Sequence, residues 1–235
     1  MLTPFTRLAR RTLLALGVGA LTLNSAFAIA EPVSDAALTS PQPFEAQYRL
    51  NVRGWPNATI THRLANEGAH WMSDMRFSVA IARGEERSRF QVGDGDSHAL
   101  LYSSDYSLLG VGSGYQLSES QLTEPDRQTA LFDLSRRAGH EACSESEPCD
   151  LHYLDHRGRD DHFRYYLTDA TRVSVPAGEF PTHQVVLLDP EKPDRHLTID
   201  FHPDWPGLIL AAEYVKDGRR DTRLTMTQFN GASSR

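Results

Sequence analysis

From Phe44 onward apolar and polar residues alternate: Phe44, Ala46, Tyr48, Leu50 and Val52 are separated by Glu45, Gln47, Arg49 and Asn51. A period of two sustained in this way is the pattern of a strand with one face in a core and one in water. Gly54-Trp55-Pro56-Asn57 then supplies turn chemistry, glycine permitting positive φ and proline fixing its own. The pattern recurs. Ala58–Leu64 is bounded by Asn66-Glu67-Gly68, Trp71–Ala82 by Gly84-Glu85, and Arg87–Val92 by Gly93-Asp94-Gly95-Asp96. His98–Ser104 and Gly114–Leu122 follow, then Thr171–Val175, His183–Leu188, Arg195–His202, Leu208–Val215 and Thr222–Phe229.

About ten short strands joined by tight turns predict an all-β domain, an antiparallel meander curled into an open or closed barrel, with a β-sandwich as the alternative. No βαβ alternation is present, which argues against a nucleotide-binding α/β fold. The one expected helix lies near Gln128–Arg137, where Ala130, Leu131 and Leu134 sit at helical spacing. A curl of this length encloses either packed side chains or a cavity, and the sequence leaves both open.

The first thirty residues have a different grammar. Arg7, Arg10 and Arg11 precede the apolar run Thr12–Leu23, and Ala26-Phe27-Ala28 offers small residues where a signal peptidase reads. The run is too short for the roughly 20 residues that span a bilayer, so residues 1–28 are read as a Sec signal peptide and no membrane span is expected after cleavage. No cysteine precedes Cys143, so the product is expected to be periplasmic and not lipidated. Residues 29–43 read as a flexible leader, 44–230 as one β domain and 231–235 as a disordered tail.

Removing residues 1–28 leaves 21 Lys+Arg against 31 Asp+Glu, a formal net charge of −10. Phosphate backbones repel such a surface on average, which argues against nucleic acid as a partner.

Several stretches carry a family likeness. They are Val173-Ser-Val-Pro-Ala-Gly-Glu-Phe-Pro-Thr-His-Gln-Val185, Ile199-Asp200-Phe201-His202-Pro203-Asp204 and Ala212-Glu213-Tyr214-Val215-Lys216-Asp217-Gly218, with Pro43–Tyr48 and Glu86–Phe90 earlier. In these the chain resembles the domain of unknown function 3108 family of exported bacterial proteins. The likeness covers most of Phe44–Phe229 and is weakest over about residues 105–160. It implies an exported, curled antiparallel β protein and brings no established catalytic residues.

The sharpest chemical pattern is His140-x-x-Cys143-x5-Cys149-x-x-His152. Two thiols flanked by two imidazoles suit a tetrahedral zinc site. The only two cysteines of an exported chain more simply form a disulfide, Cys143–Cys149. Next come His152, Asp155, His156, Asp160, Asp161 and His162, which suit a metal or a general base but equally a charged hairpin tip. Gly110-Val111-Gly112-Ser113-Gly114 lacks the G-K-[ST] ending of a phosphate loop and reads as a mobile or bulged stretch. Asp94 and Asp96 sit in a Gly-rich turn that offers too few oxygens for a calcium loop. Tyr102, Tyr106, Tyr115, Tyr165, Tyr166 and Trp205 are candidates for a ligand pocket or for core. There is no G-x-S-x-G.

No catalytic residue and no cofactor is assigned. The leading expectation is a non-enzymatic envelope protein that binds a small apolar ligand or an envelope protein. The alternatives are a periplasmic metal-dependent hydrolase built on His140–His162, and an assembly factor pairing through a sheet edge.

Overall fold

The computed structural model describes residues 38–79 and 81–231. The expected signal peptide lies outside them, as does the expected leader up to residue 37 and the tail from residue 232. Within the described part of the expected leader, the Thr39 carbonyl accepts a hydrogen bond from Arg136 Nε at 3.3 Å.

The strands are β1 (Phe44–Val52), β2 (Ala58–Asn66), β3 (Trp71–Val79), β4 (Ala82–Val92), β5 (Ser97–Leu108) and β6 (Val111–Ser118). A 3₁₀ turn at Glu119–Gln121 and helix α1 (Arg127–Arg137) follow. The chain continues with β7 (Cys149–Leu154), β8 (Asp160–Leu167), β9 (Arg172–Val175), β10 (Gly178–Pro181) and β11 (His183–Leu188). It ends with β12 (Arg195–Phe201), β13 (Ile209–Lys216) and β14 (Arg219–Gly231). Twelve strands form one antiparallel sheet in the order β6-β5-β4-β3-β2-β1-β14-β13-β12-β11-β8-β7, and β9 and β10 pair separately. The sheet is not closed. Its free edges are β6 and β7, so the closed barrel is not formed.

What lies between the ends is side chains and a turn. Ser104 Oγ on β5 donates to the carbonyl of His156 in the β7–β8 turn at 2.9 Å, and Leu117 of β6 packs beside Gly158 of that turn. Bulges at Gln47/Tyr48, Arg89/Phe90, Asp200/Phe201 and Tyr214/Val215 add local twist and bend to a sheet this long.

Several sequence readings change: twelve strands rather than about ten form the sheet, and the strand expected over Gly114–Leu122 stops at Ser118, before the 3₁₀ turn. Gly84-Glu85 is not a turn: β4 runs straight through it, and the hairpin turns instead between Val79 and Ala82. The reason is space. A Cβ at Gly84 would collide with the ring of Phe77 and press on Tyr106, which pack over it at 6.2 Å between centroids. Gly110–Gly114 is likewise not a loose stretch. Leu109 and Gly110 both have positive φ (53° and 82°) and make a two-residue hairpin turn into β6.

Helix α1 is the centre of the core. Its cap is Asp126, whose side chain accepts from the backbone N–H groups of Gln128 (3.0 Å) and Thr129 (3.2 Å). Arg136 and Arg137 stand in the last turn, where the helix dipole favours cations. Unlike a surface helix, it is buried on nearly every side, Asp133 and Arg136 included. Phe132 packs on Phe90 with ring centroids 4.8 Å apart. Phe44, Tyr48, Leu64, Phe201 and Leu210 complete the same apolar cluster. The interior is therefore filled by protein.

Replacing Phe132 by Ala removes the largest apolar group of the helix from a close-packed site. A loss of roughly 3–5 kcal/mol in unfolding free energy is expected, read by urea denaturation.

Candidate functional site

The N-terminal end of α1 meets a row of polar residues that β2, β3 and β4 turn inward. Register places Leu64 opposite Ser73 and Ser73 opposite Ser88 on one inward row, with His62, Met75 and Glu86 on the next. Ser88 Oγ donates to Asp126 Oδ2 (2.7 Å) and lies 2.8 Å from Thr129 Oγ1. Ser73 Oγ donates to Gln128 Oε1. Arg127 reaches Glu86 with two nitrogens, Nε donating to Oε2 at 2.8 Å, and donates to Tyr106 Oη at 2.9 Å.

A serine beside a histidine invites comparison with a hydrolase dyad, and His62 Nε2 lies 3.0 Å from Ser73 Oγ. The proton count runs the other way. The Ser73 hydroxyl gives its one proton to Gln128, so His62 must donate to Ser73 rather than take from it. Both residues are buried, and the void beside them is about 20 Å³, too small for a substrate. Burial holds the His62 pKa down at about 4, against the pull of Asp74. Burial also pushes Glu86 up to about 7, and raises Asp126 above the usual aspartate value despite its hydrogen bonds. A hollow of about 120 Å³ beside Glu86, Arg127 and Tyr106 is walled by Ile60, Met75 and Phe77. These groups seat the helix in the sheet.

The rest of the helix is satisfied in the same way. Asp133 accepts from Ser97 N (2.8 Å) and Oγ (2.6 Å), and Gly207 N donates to Ser135 Oγ at 2.7 Å. Arg136 donates to the carbonyls of Gly93 (3.0 Å) and Gly95 (3.3 Å). A guanidinium thus occupies two carbonyls of the Gly93–Asp96 turn.

The other sequence candidates are dispersed. Cys143 and Cys149 form a disulfide, with S–S 2.03 Å and Cα–Cα 5.5 Å. Cys143 is buried in the core cluster, so the ring is anchored to the domain and not merely a local excursion. His140 and His152 do not join the cysteines; among the described residues the only group of possible metal ligands there is Glu141, Cys143 and Cys149. His152 is exposed and stacks on His162 across the β7–β8 pair at 4.3 Å, and His162 Nε2 lies 2.8 Å from Asp150 Oδ1. Asp155 organises the turn by accepting from Arg157 N (2.8 Å), Arg159 N (3.0 Å) and Arg159 Nε (2.9 Å). Asp160 and Asp161 are exposed beside it. Of the aromatic set, Tyr102 and Tyr165 are core and Tyr115 is exposed; Tyr106 packs against Phe77 and His156, Trp205 against Phe229. They line no common pocket.

The larger concavity is outside. A groove of about 690 Å³ crosses the distal parts of β2–β6, lined by Thr61, Arg76, Glu85, Asp105, Gly112 and Gly114 among others. It runs alongside β6, which is exposed along most of its length and carries neither proline nor lysine. Natural sheets commonly blunt an edge with those residues. The sequence placed a strand at Gly114–Leu122 but read Gly110–Gly114 as loose, because Leu109-Gly110 lacks the usual Asn-Gly or Asp-Gly hairpin pair.

No family model and no curated protein matches the chain. Among solved structures it is similar to a chain of the Pseudomonas aeruginosa MucA/MucB complex, at 13% identity and a TM-score of 0.41, covering 83% of this chain and 53% of that one. It is also similar to a YmcC-like-fold protein of Bacteroides fragilis, at 8% identity and a TM-score of 0.37, covering 83% and 99%. A MucB structure follows at 14% identity and a TM-score of 0.36, covering 83% and 55%. The chain thus spans about half the length of the two MucB-related chains it matches. At such values the likeness assigns no function. No helix among the described residues is long and apolar enough to cross a membrane.

The buried imidazole makes acid sensitivity measurable. A histidine whose folded pKa lies below its unfolded one contributes stability above pH 6.5, and this is lost as pH falls toward 4. His62→Gln removes that term. The stability gap between wild type and variant is expected to narrow by about 3 kcal/mol from pH 7.5 to pH 4. Glu86 has the opposite sign, losing its contribution as pH rises through 7, but is common to both proteins. Thiol titration of native protein is expected to find no free thiol without reductant. Cys149→Ser is expected to cost roughly 2 kcal/mol in the chain-entropy model.

Proposed function

We propose that this chain is an exported envelope protein of the domain of unknown function 3108 type, and that it binds an extended segment of another envelope protein along the free edge of β6 without catalysing a reaction. The observation that carries this reading is the unprotected β6 edge beside the 690 Å³ groove. Strand addition suits such an edge, because main-chain hydrogen bonds supply affinity and neighbouring pockets supply selectivity. The two-residue turn makes Leu108 and Val111 a hydrogen-bonded pair. By alternation Gly112, Gly114 and Gln116 then turn their N–H and C=O groups outward.

The filled interior argues against a carrier of small apolar ligands, since α1 occupies the space such a ligand needs. A hydrolase on the His140–His162 region finds little support, because His140, His152 and His162 stand at the surface, His156 is half-buried against Tyr106, and none lines the cavities beside the helix.

Gly114→Pro removes one outward N–H. Cross-linking in envelope extracts is expected to capture a partner with wild type and at least tenfold less with this variant, at an unchanged circular dichroism spectrum. Equal capture by both proteins would remove the edge-pairing reading.

A further inference from the structure

The hairpin turns at one rim of the sheet carry large apolar side chains outward. Register puts them together on that rim: Leu50 pairs with Ala58, Thr59 with Ser78, Val79 with Ala82, and Ala82 with Leu108. Trp55 heads the β1–β2 turn, Ile81 the β3–β4 turn and Leu109 the β5–β6 turn, with Leu108 and Val111 behind it. Leu109 is 74% exposed and Val111 79%. The two hairpins are tied to each other, Leu109 N donating to the carbonyl of Ile81 at 2.8 Å.

Leu109 is also in the wrong conformation for its residue type. Its φ of 53° lies in the left-handed region, at a turn position that Asn, Asp or Gly fills at little cost. A bulky apolar side chain is held there in full contact with water. Neither core packing nor turn chemistry asks for it.

The charges on this rim are arranged to match. Behind the apolar tips the first charged residue on β3–β6 is Arg83, which pairs in register with Ser78 and Ser107; carboxylates return only at Glu85 and Asp105. Among the described residues Arg83 takes part in no ion pair. On the other side of the Trp55 turn a groove of about 420 Å³ is lined by Arg53, Arg220, Arg223 and Asp221. Arg53 pairs with Asp221 at 3.2 Å and Arg220 with Glu213 at 3.5 Å, while Arg223, among the described residues, takes part in no ion pair. A protruding apolar tip flanked by basic groups, with an indole between them, is suited to the boundary between acyl chains and headgroup phosphates. A rigid protein partner would need a complementary pocket; a fluid lipid surface deforms around a convex tip.

We infer that this rim rests on an anionic phospholipid surface, with Leu109, Val111, Ile81 and Trp55 entering the interface and the Arg53/Arg220/Arg223 groove facing lipid phosphates. The inference is independent of what pairs with the β6 edge.

The test uses protein recovered from the periplasm of an exporting host and sedimented with vesicles of phosphatidylethanolamine and phosphatidylglycerol, or of phosphatidylcholine alone. Wild type is expected to sediment with the anionic vesicles, more weakly with the neutral ones, and less as salt is raised. The emission of Trp55 is expected to shift to the blue, a shift absent in Trp55→Phe. The decisive variant is Leu109→Asn, which gives the turn a residue it prefers. It is expected to keep or raise the melting temperature while vesicle affinity falls about tenfold. Failure of wild type to sediment with either vesicle, or sedimentation of Leu109→Asn like wild type, overturns the inference. So does a wild-type dimer in solution that Leu109→Asn dissolves, which would make the rim an interface between copies of this chain.

Discussion

The structure depends on the burial of one short helix most of whose buried polar side chains are answered by the chain around it. An 11-residue helix is too short to be stable alone in water. Here it lies where Asp126, Asp133, Ser135 and Arg136 find hydrogen-bond partners in β4, in β5 and the turn before it, and in the chain after β12. A buried polar group without a partner costs several kcal/mol. Matching the partners therefore fixes where the helix sits, and the helix fixes how far the sheet curls. The bulges supply the bend, and Phe132 and Leu134 supply the mass that the bend wraps.

Much of the fold was legible. Strict alternation in β1 and turn residues after β1, β2 and β4 located those strands, and the late runs from Thr171 to Phe229 located β9 and β11 to β14. Where sequence reading went astray, packing had overridden local preference. Gly84 looks like punctuation but is a gap into which Phe77 and Tyr106 fit. The Gly112–Gly114 stretch looks loose but is a paired strand. The helix showed only Ala130, Leu131 and Leu134 as a stripe. Its burial on all sides was invisible, because residues such as Gln128, Thr129 and Asp133 read as solvent-facing until their partners are known.

The chemistry was less legible than the fold. Local spacing drew attention to the His140–His152 segment, where a disulfide and exposed imidazoles are found. The inward polar cluster draws on residues from β2, β3, β4 and α1 that are far apart in sequence. No local window contains it. The outer features have the same origin: an edge or a rim belongs to the sheet as a whole, and only the strand order shows which turns share one side.

The pairing of β1 with β14 has a consequence for how the domain comes into being. Phe44 lies opposite Gly231, so strands from the two ends of the described chain meet in the middle of the sheet. Such distant pairings form slowly, because closing a long loop precedes any reward. Until β14 is present, the two halves of the sheet lack the strand that joins them. The order of strands in space thus keeps this sheet from closing ranks until strands from both ends of the described chain are in hand.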